Sequence, residues 1–200
     1  MTERGMIFNG EMVRAILDGR KTQTRRPVKF PIIDKNMGCE LAGNELAGEL
    51  AAGNYWNSPF GKPGDRIWVR ETFGDCGVRL AYRADTDDGA KCKVERWTPS
   101  IHMPRWASRI LLEITDVRVE RLNSISEEDC WAEGIEAVDG LFENTEIIDM
   151  ALKIGCCVED SKPMFALLWQ SIYGDDSWQA NPWVWAITFR RIEGDGHETD

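Results

Sequence analysis

The sequence predicts a mixed α+β domain built around a compact, barrel-like sheet. Three observations carry that expectation. Two-residue alternation recurs in well-separated segments, at 66–72 and in the closing "NPWVWAITFRR". Helical spacing appears between and beside them, at 9–19 and 161–174. Neither a glycine-rich dinucleotide loop, nor a Walker loop, nor a G-x-S-x-G elbow is present, which leaves the common nucleotide-binding and hydrolase folds without support.

In "NGEMVRAILDG", Asn9 is placed to cap a helix, Met12, Val13, Ile16 and Leu17 share one face, and Gly19 is a natural stop. Residues 34–58 are rich in Gly, Ala and Asn and read as an insertion. Pro63-Gly64-Asp65 forms a turn into a strand whose alternation puts Ile67, Val69 and Glu71 on one face and Trp68 and Arg70 on the other. "VRLAYRAD" is a second strand, followed by a polar excursion. "SRILLEITDVRVERL" gives one long strand, or two broken near Thr115-Asp116. "SISEEDCWAEGI" opens a helix capped by Ser126, with Asp129 at the capping-box position and Gly134 at the end. Residues 136–160 read as an acidic, poorly periodic loop. "SKPMFALLWQSIYG" is a helix with Phe165, Leu168, Trp169 and Ile172 on one face and Gly174 as stop. In the last strand Trp183, Trp185, Ile187 and Phe189 share a side. Residues 193–200 read as a flexible acidic tail.

Composition narrows the function classes. The 200 residues carry a formal charge of −10, which opposes non-specific duplex binding. No apolar run approaches a membrane span, and the charged N-terminal stretch is unlike a signal peptide, so the chain reads as a cytoplasmic protein with no membrane partner. With two histidines and no C-x-x-C pair among six cysteines, no metal site or cofactor is indicated, and the cysteines read as reduced.

Against this acidic background, 14–29 holds six basic residues and one acid. Arg20, Lys21, Arg25 and Arg26 surround Thr22 and Thr24 just past the helix stop, so the stretch reads as a loop. Lys21 and Thr24 are three apart, a spacing that one helical turn would place on one face.

Four segments in order then carry a family resemblance: "ILDGRKTQTRR", "GKPGDRIWVRETF", "MPRWASRILLEITDVRVERLNSISEEDCWAEGI" and "NPWVWAITF". Together they resemble the ASCH domain family of the PUA-like superfamily, in the long form carried by bacteriophages and prophages. The resemblance implies a small β-barrel with flanking helices over residues 1–192, with insertions near 34–58, 74–98 and 136–160. It also implies a pocket for a nucleobase, nucleoside or RNA. One branch hydrolyses N4-acetylcytidine with a lysine and threonine of the G-R-K-T-x-T element and a glutamate of the later helix, which correspond here to Lys21, Thr24 and Glu133. The chain departs from that branch at Arg25 and Pro27, and it is about twice the minimal length.

Three readings of function stay open on the sequence. In the first, Lys21 is a base whose pKa is lowered by neighbouring cations, Thr24 or a water is the nucleophile, and Glu133 orients or protonates. In the second, Arg20, Arg25, Arg26, Arg66 and Arg70, with Arg105 and Arg109, contact phosphates of single-stranded RNA while Trp68, Trp97 or Trp106 stacks on a base. Against the first reading stands a non-catalytic one, in which Lys21 is a phosphate contact, Thr24 caps a turn and Glu133 pairs with an arginine. In the third, the acidic insertion engages a host protein. Glu71 is a secondary candidate, pointing inward toward an arginine or a base edge. The site is expected between 19–26, 66–71 and 126–134.

Overall fold

Asn9 accepts a hydrogen bond from the Met12 amide at 2.8 Å, and this cap starts the first helix. Gly19, at φ +78°, lies just past its end. The computed structural model describes residues 1–88, 94–136 and 145–192. In chain order the helices are α1 (Gly10–Leu17), α2 (Gly43–Ala51), α3 (Glu127–Ala132), α4 (Thr145–Ile154) and α5 (Ser161–Tyr173). The strands are β1 (Glu3–Ile7), β2 (Gln23–Pro27), β3 (Ile32–Ile33), β4 (Glu40–Leu41) and β5 (Arg66–Arg70). They continue as β6 (Phe73–Asp75), β7 (Leu80–Tyr82), β8 (Trp97–Thr98), β9 (Leu111–Arg121) and β10 (Trp183–Arg191). The fold is mixed α+β.

The main sheet runs β1-β5-β9-β10-β2, with β1 parallel to β5 and the other pairs antiparallel. The barrel expectation is not met by its ladder: among the described strands the sheet is open, with β1 and β2 as its edges. A side chain spans the seam instead. Arg26 of β2 donates to the Ile7 carbonyl at 2.7 Å, with its guanidinium 5.4 Å from the centroid of the Phe8 ring. The suspected break in the long strand is a bulge: β9 is continuous, and its register against β10 skips Thr115 between the Thr188–Asp116 and Phe189–Ile114 pairs.

Because β10 is a central strand, alternation sends its side chains into two cores. Trp185, Ile187 and Phe189 join Val13 and Ile16 of α1, Leu46 and Leu50 of α2, and Ile67 and Val69 of β5. Val184 joins a second core with Cys130 of α3, Met150 of α4, and Phe165 and Trp169 of α5. The 34–58 segment thus feeds the main core through α2. The 136–160 segment is not simply a loop. Residues 137–144 lie outside the described residues, but α4 buries Ile147, Met150 and Ala151. Those positions are spaced i, i+3, i+4, a helical signal hidden under the acidic composition. The 74–98 segment builds the small sheet β7-β6-β8.

Among the described residues no helix is long and apolar enough to cross a membrane. Cys39, Cys130, Cys156 and Cys157 are free, whereas Cys76 is disulfide-bonded, a departure from the reading of all six as reduced. The tail at 193–200 lies outside the described residues.

Candidate functional site

The basic stretch is not a loop. Lys21 makes an isolated antiparallel bridge with Glu133, and β2 follows at once. The Lys21 amide donates to the Ala15 carbonyl and the Thr22 amide to the Ala132 carbonyl, each at 2.9 Å. Those bonds pin the segment between the ends of α1 and α3. Gly134 permits the approach. Its φ is +82°, and a Cβ there would lie 2.7 Å from Lys21 Cβ and 3.0 Å from Ala15 Cβ.

Strand alternation then sorts the side chains. Gln23 and Arg25 pair across β10 with Thr188 and Ala186, toward α3. Thr24 and Arg26 pair with Ile187 and Trp185, on the main-core face. The helical turn expected to align Lys21 with Thr24 is therefore replaced by extended chain.

Lys21 is fully buried, and its Nζ donates to both the carbonyl oxygen and Oε2 of Glu133, each at 2.7 Å. Glu133 Oε1 accepts from Arg25 Nη1 at 3.1 Å. Arg25, with a side-chain exposure of 0%, also reaches Glu120 and Asp129 at 2.7 and 2.9 Å. Arg118 touches the same two carboxylates and Asp116. Gln23 ties in through Arg25, Asp129 and Thr188. The small Ala186 sits in register between Arg25 on β2 and Arg118 on β9.

This network answers the charge puzzle of the sequence. Lys21 and Arg25 are matched by Glu120 of β9, Asp129 of α3 and Glu133 at its end, so Arg25 is an internal counterion and not an exposed phosphate contact. It also corrects the capping-box reading. Ser126 does cap α3, accepting from the Asp129 amide, but the Asp129 carboxylate turns to Gln23, Arg25 and Arg118.

Burial pushes the Lys21 ammonium below its ordinary range, Glu133 works against that, and Arg26 and Arg25 add to it. For Asp129, burial acts upward, but Arg118 and Arg25 prevail and hold the carboxyl below its usual range. Burial raises the Cys130 thiol to about 11, which leaves it a packing residue in the second core.

Glu133 lies beside open space. A cavity of about 20 Å³ is lined by Thr24, Arg25, Glu133 and Trp169, among others. It shares Arg26 and Tyr173 with a larger cavity of about 730 Å³, walled by Phe60, Trp185 and Tyr173 with Lys29 also lining it. On the other side, Glu133 and Gly134 border a cavity of about 520 Å³ that Arg20 also lines. The structure thus gathers Lys21, Thr24, Glu133, Arg25 and Arg26 in one place, with Arg20 nearby bound to Gly134, Asp18 and Glu136.

The remaining candidates line none of these cavities. Arg66 contacts Glu3 at 3.8 Å. Arg70 stacks on Trp68 at 5.3 Å and donates to the Ile101 carbonyl. Glu71 does point inward, but its arginine is Arg109, not one from the basic stretch. Arg109 forms a fork on Glu71 at 2.9 and 3.1 Å and on Asp85 at 2.7 and 2.8 Å, and lies 4.0 Å from the Tyr82 ring centroid. Arg105 pairs with Glu3. Trp106 is exposed and Trp97 lies under Arg83.

Sequence reasoning missed Glu120, Arg118, Phe60 and Tyr173. The first two had a signal, because Asp116, Arg118 and Glu120 alternate with Val117 and Val119 on one strand face. Phe60 lies between recognised elements and carried none.

The geometry defines the class of this chain as a mixed α+β domain with a buried lysine–glutamate pair beside an aromatic cleft. No family model matches the chain, and no curated protein matches it. Among solved structures, a protein of the DUF984 family from Enterococcus faecalis V583 is similar across 100% of this chain and 86% of its own. The identity is 12% and the TM-score 0.39, a likeness too slight to carry an argument.

Proposed function

We propose that this is an ASCH-type protein of the PUA-like superfamily that binds a nucleoside in the cleft beside Glu133 and hydrolyses an amide on its base, with N4-acetylcytidine as the model substrate. The observation that supports it is the contact of a fully buried lysine with a carboxylate that borders the same small cavity as Thr24. Such a pair can pass a proton along a 2.7 Å hydrogen bond without changing the net charge of the buried site. Arg25 donates to the other carboxylate oxygen and holds it in place beside the lysine.

In this reading Thr24, or a water it holds, attacks the amide carbonyl. The proton released goes to the Lys21–Glu133 pair, and the pair returns it to the departing exocyclic amine. Where Thr24 itself attacks, a water then cleaves the acyl-threonine ester, so either route consumes one water and yields a carboxylate, cytidine and a proton. Phe60, Tyr173 and Trp185 offer the flat walls that a base requires, and Arg26 and Lys29 border the same space.

The test is release of acetate and cytidine from N4-acetylcytidine by the purified wild-type protein. Equal amounts of the two products are expected. Intact substrate after prolonged incubation ends the hydrolytic reading.

A further inference from the structure

Trp169 belongs to α5 and is 3% exposed, yet its indole N–H has no hydrogen-bond partner among the described residues. Buried indole N–H groups nearly always find an acceptor. Packing against Phe165 and Tyr173 accounts for the ring but not for the nitrogen.

Trp169 is also a wall of the small cavity that holds Thr24 and Glu133. The other charged side chains lining that space, Arg25 and Arg26, are donors. The Glu133 carboxylate oxygens already accept from Lys21 and Arg25. Among the side chains that line it, the hydroxyls of Thr24 and Tyr173 are the acceptors left, and neither accepts from the Trp169 nitrogen. The cavity volume of about 20 Å³ suits a single oxygen-sized group.

We propose that Trp169 is a ligand-contacting residue whose indole N–H donates to an oxygen of the bound molecule. The flat part of that molecule lies against Phe60, Tyr173 and Trp185 in the adjoining cavity. This rests on the reading of the cleft as the ligand site, and it adds a substrate requirement: an acyl carbonyl on the exocyclic nitrogen of the ring. Trp169 is thereby the residue that distinguishes an acylated base from a bare exocyclic amine.

The experiment follows the indole N–H resonances of the wild-type protein, assigned through the backbone, while acetamide, cytidine and N4-acetylcytidine are added in turn. Affinity for N4-acetylcytidine is then measured in wild type and Trp169→Phe. The Trp169 resonance is expected to move with acetamide and with N4-acetylcytidine. The substitution is expected to weaken N4-acetylcytidine binding about tenfold, the loss of one hydrogen bond, and to leave cytidine affinity unlowered in protein that is still folded. A Trp169 resonance that no compound moves overturns the proposal, as does unchanged affinity in Trp169→Phe, which would assign the donor to a buried water alone. Turnover with unchanged Trp169→Phe affinity removes this proposal and keeps hydrolysis. A moving resonance without turnover keeps it and removes hydrolysis.

Discussion

Among the described residues two buried glutamates face arginine, and one of them, Glu133, borders the cavities described above. Glu71 is held by a two-pronged Arg109 that also grips Asp85 and covers Tyr82. Burial nonetheless raises the Glu71 carboxyl, with Arg109 opposing. Glu133 shares its arginine with Glu120 and Asp129 and receives a second cation, Lys21. Burial and ion pairing are common to both places. The differences are an amine that can release a proton, which guanidinium cannot do, and open space beside the carboxylate. A displaced pKa next to a carboxylate is thus a poor guide to function until the cavity and the exchangeable proton are added.

Breaking the closed pair should have the largest effect on stability. Arg109→Ala strands Glu71 and is expected to cost about 3–5 kcal/mol, measured by chemical denaturation. The protein that remains folded should bind N4-acetylcytidine as wild type does. Weakened binding would join the Glu71 cluster to the site and erase the contrast.

Gly134→Ala acts on the open pair. A side chain at φ +82° pressed toward Lys21 and Ala15 is expected to cost about 1–3 kcal/mol. It should also move Lys21 relative to Glu133, so substrate turnover should fall in protein that is still folded. A loss of stability with unchanged turnover would mean that the glycine serves only the turn.

The smallest effect concerns pH. Lys21 titrates in the fold below the ordinary lysine value of 10.5, which the unfolded chain retains. Between those two points the unfolded state holds a proton that the folded state has released. The stability of the fold therefore rises with pH across that window, which ends at the ordinary lysine value. Lys21→Met should remove the rise. Denaturation midpoints of the two proteins measured over the window check this, and parallel curves would contradict a lowered Lys21 pKa.

Local chemistry made part of this structure legible in the sequence. Asn9 and Ser126 cap the helices they were expected to cap, and Gly19 and Gly174 follow the helix ends, because such signals act within a few residues. The faces of 66–71 and 183–189 followed from alternation alone. Long-range pairing was not legible. Local spacing favoured a helical turn from Lys21 to Thr24, but β10 recruits that segment as an edge strand, and the pairing overrides the spacing. Asp129 sat at a capping-box position, yet two arginines from other strands outcompete a backbone amide for its carboxylate. Lys21 and Glu133 were singled out together by family resemblance, and nothing in their 112-residue separation revealed a bridge. Trp169 was placed on the apolar face of its helix, but the missing partner of its nitrogen is visible only in three dimensions.

The contrast between the two glutamates is tested most directly by steady-state hydrolysis of N4-acetylcytidine, with Lys21→Met and Arg109→Ala compared at equal concentrations of folded protein. Lys21→Met should lower kcat by about 10²–10⁴-fold, the usual share of a general acid–base group, and Arg109→Ala should leave kcat near the wild-type value. Equal kcat in wild type and Lys21→Met would contradict the account.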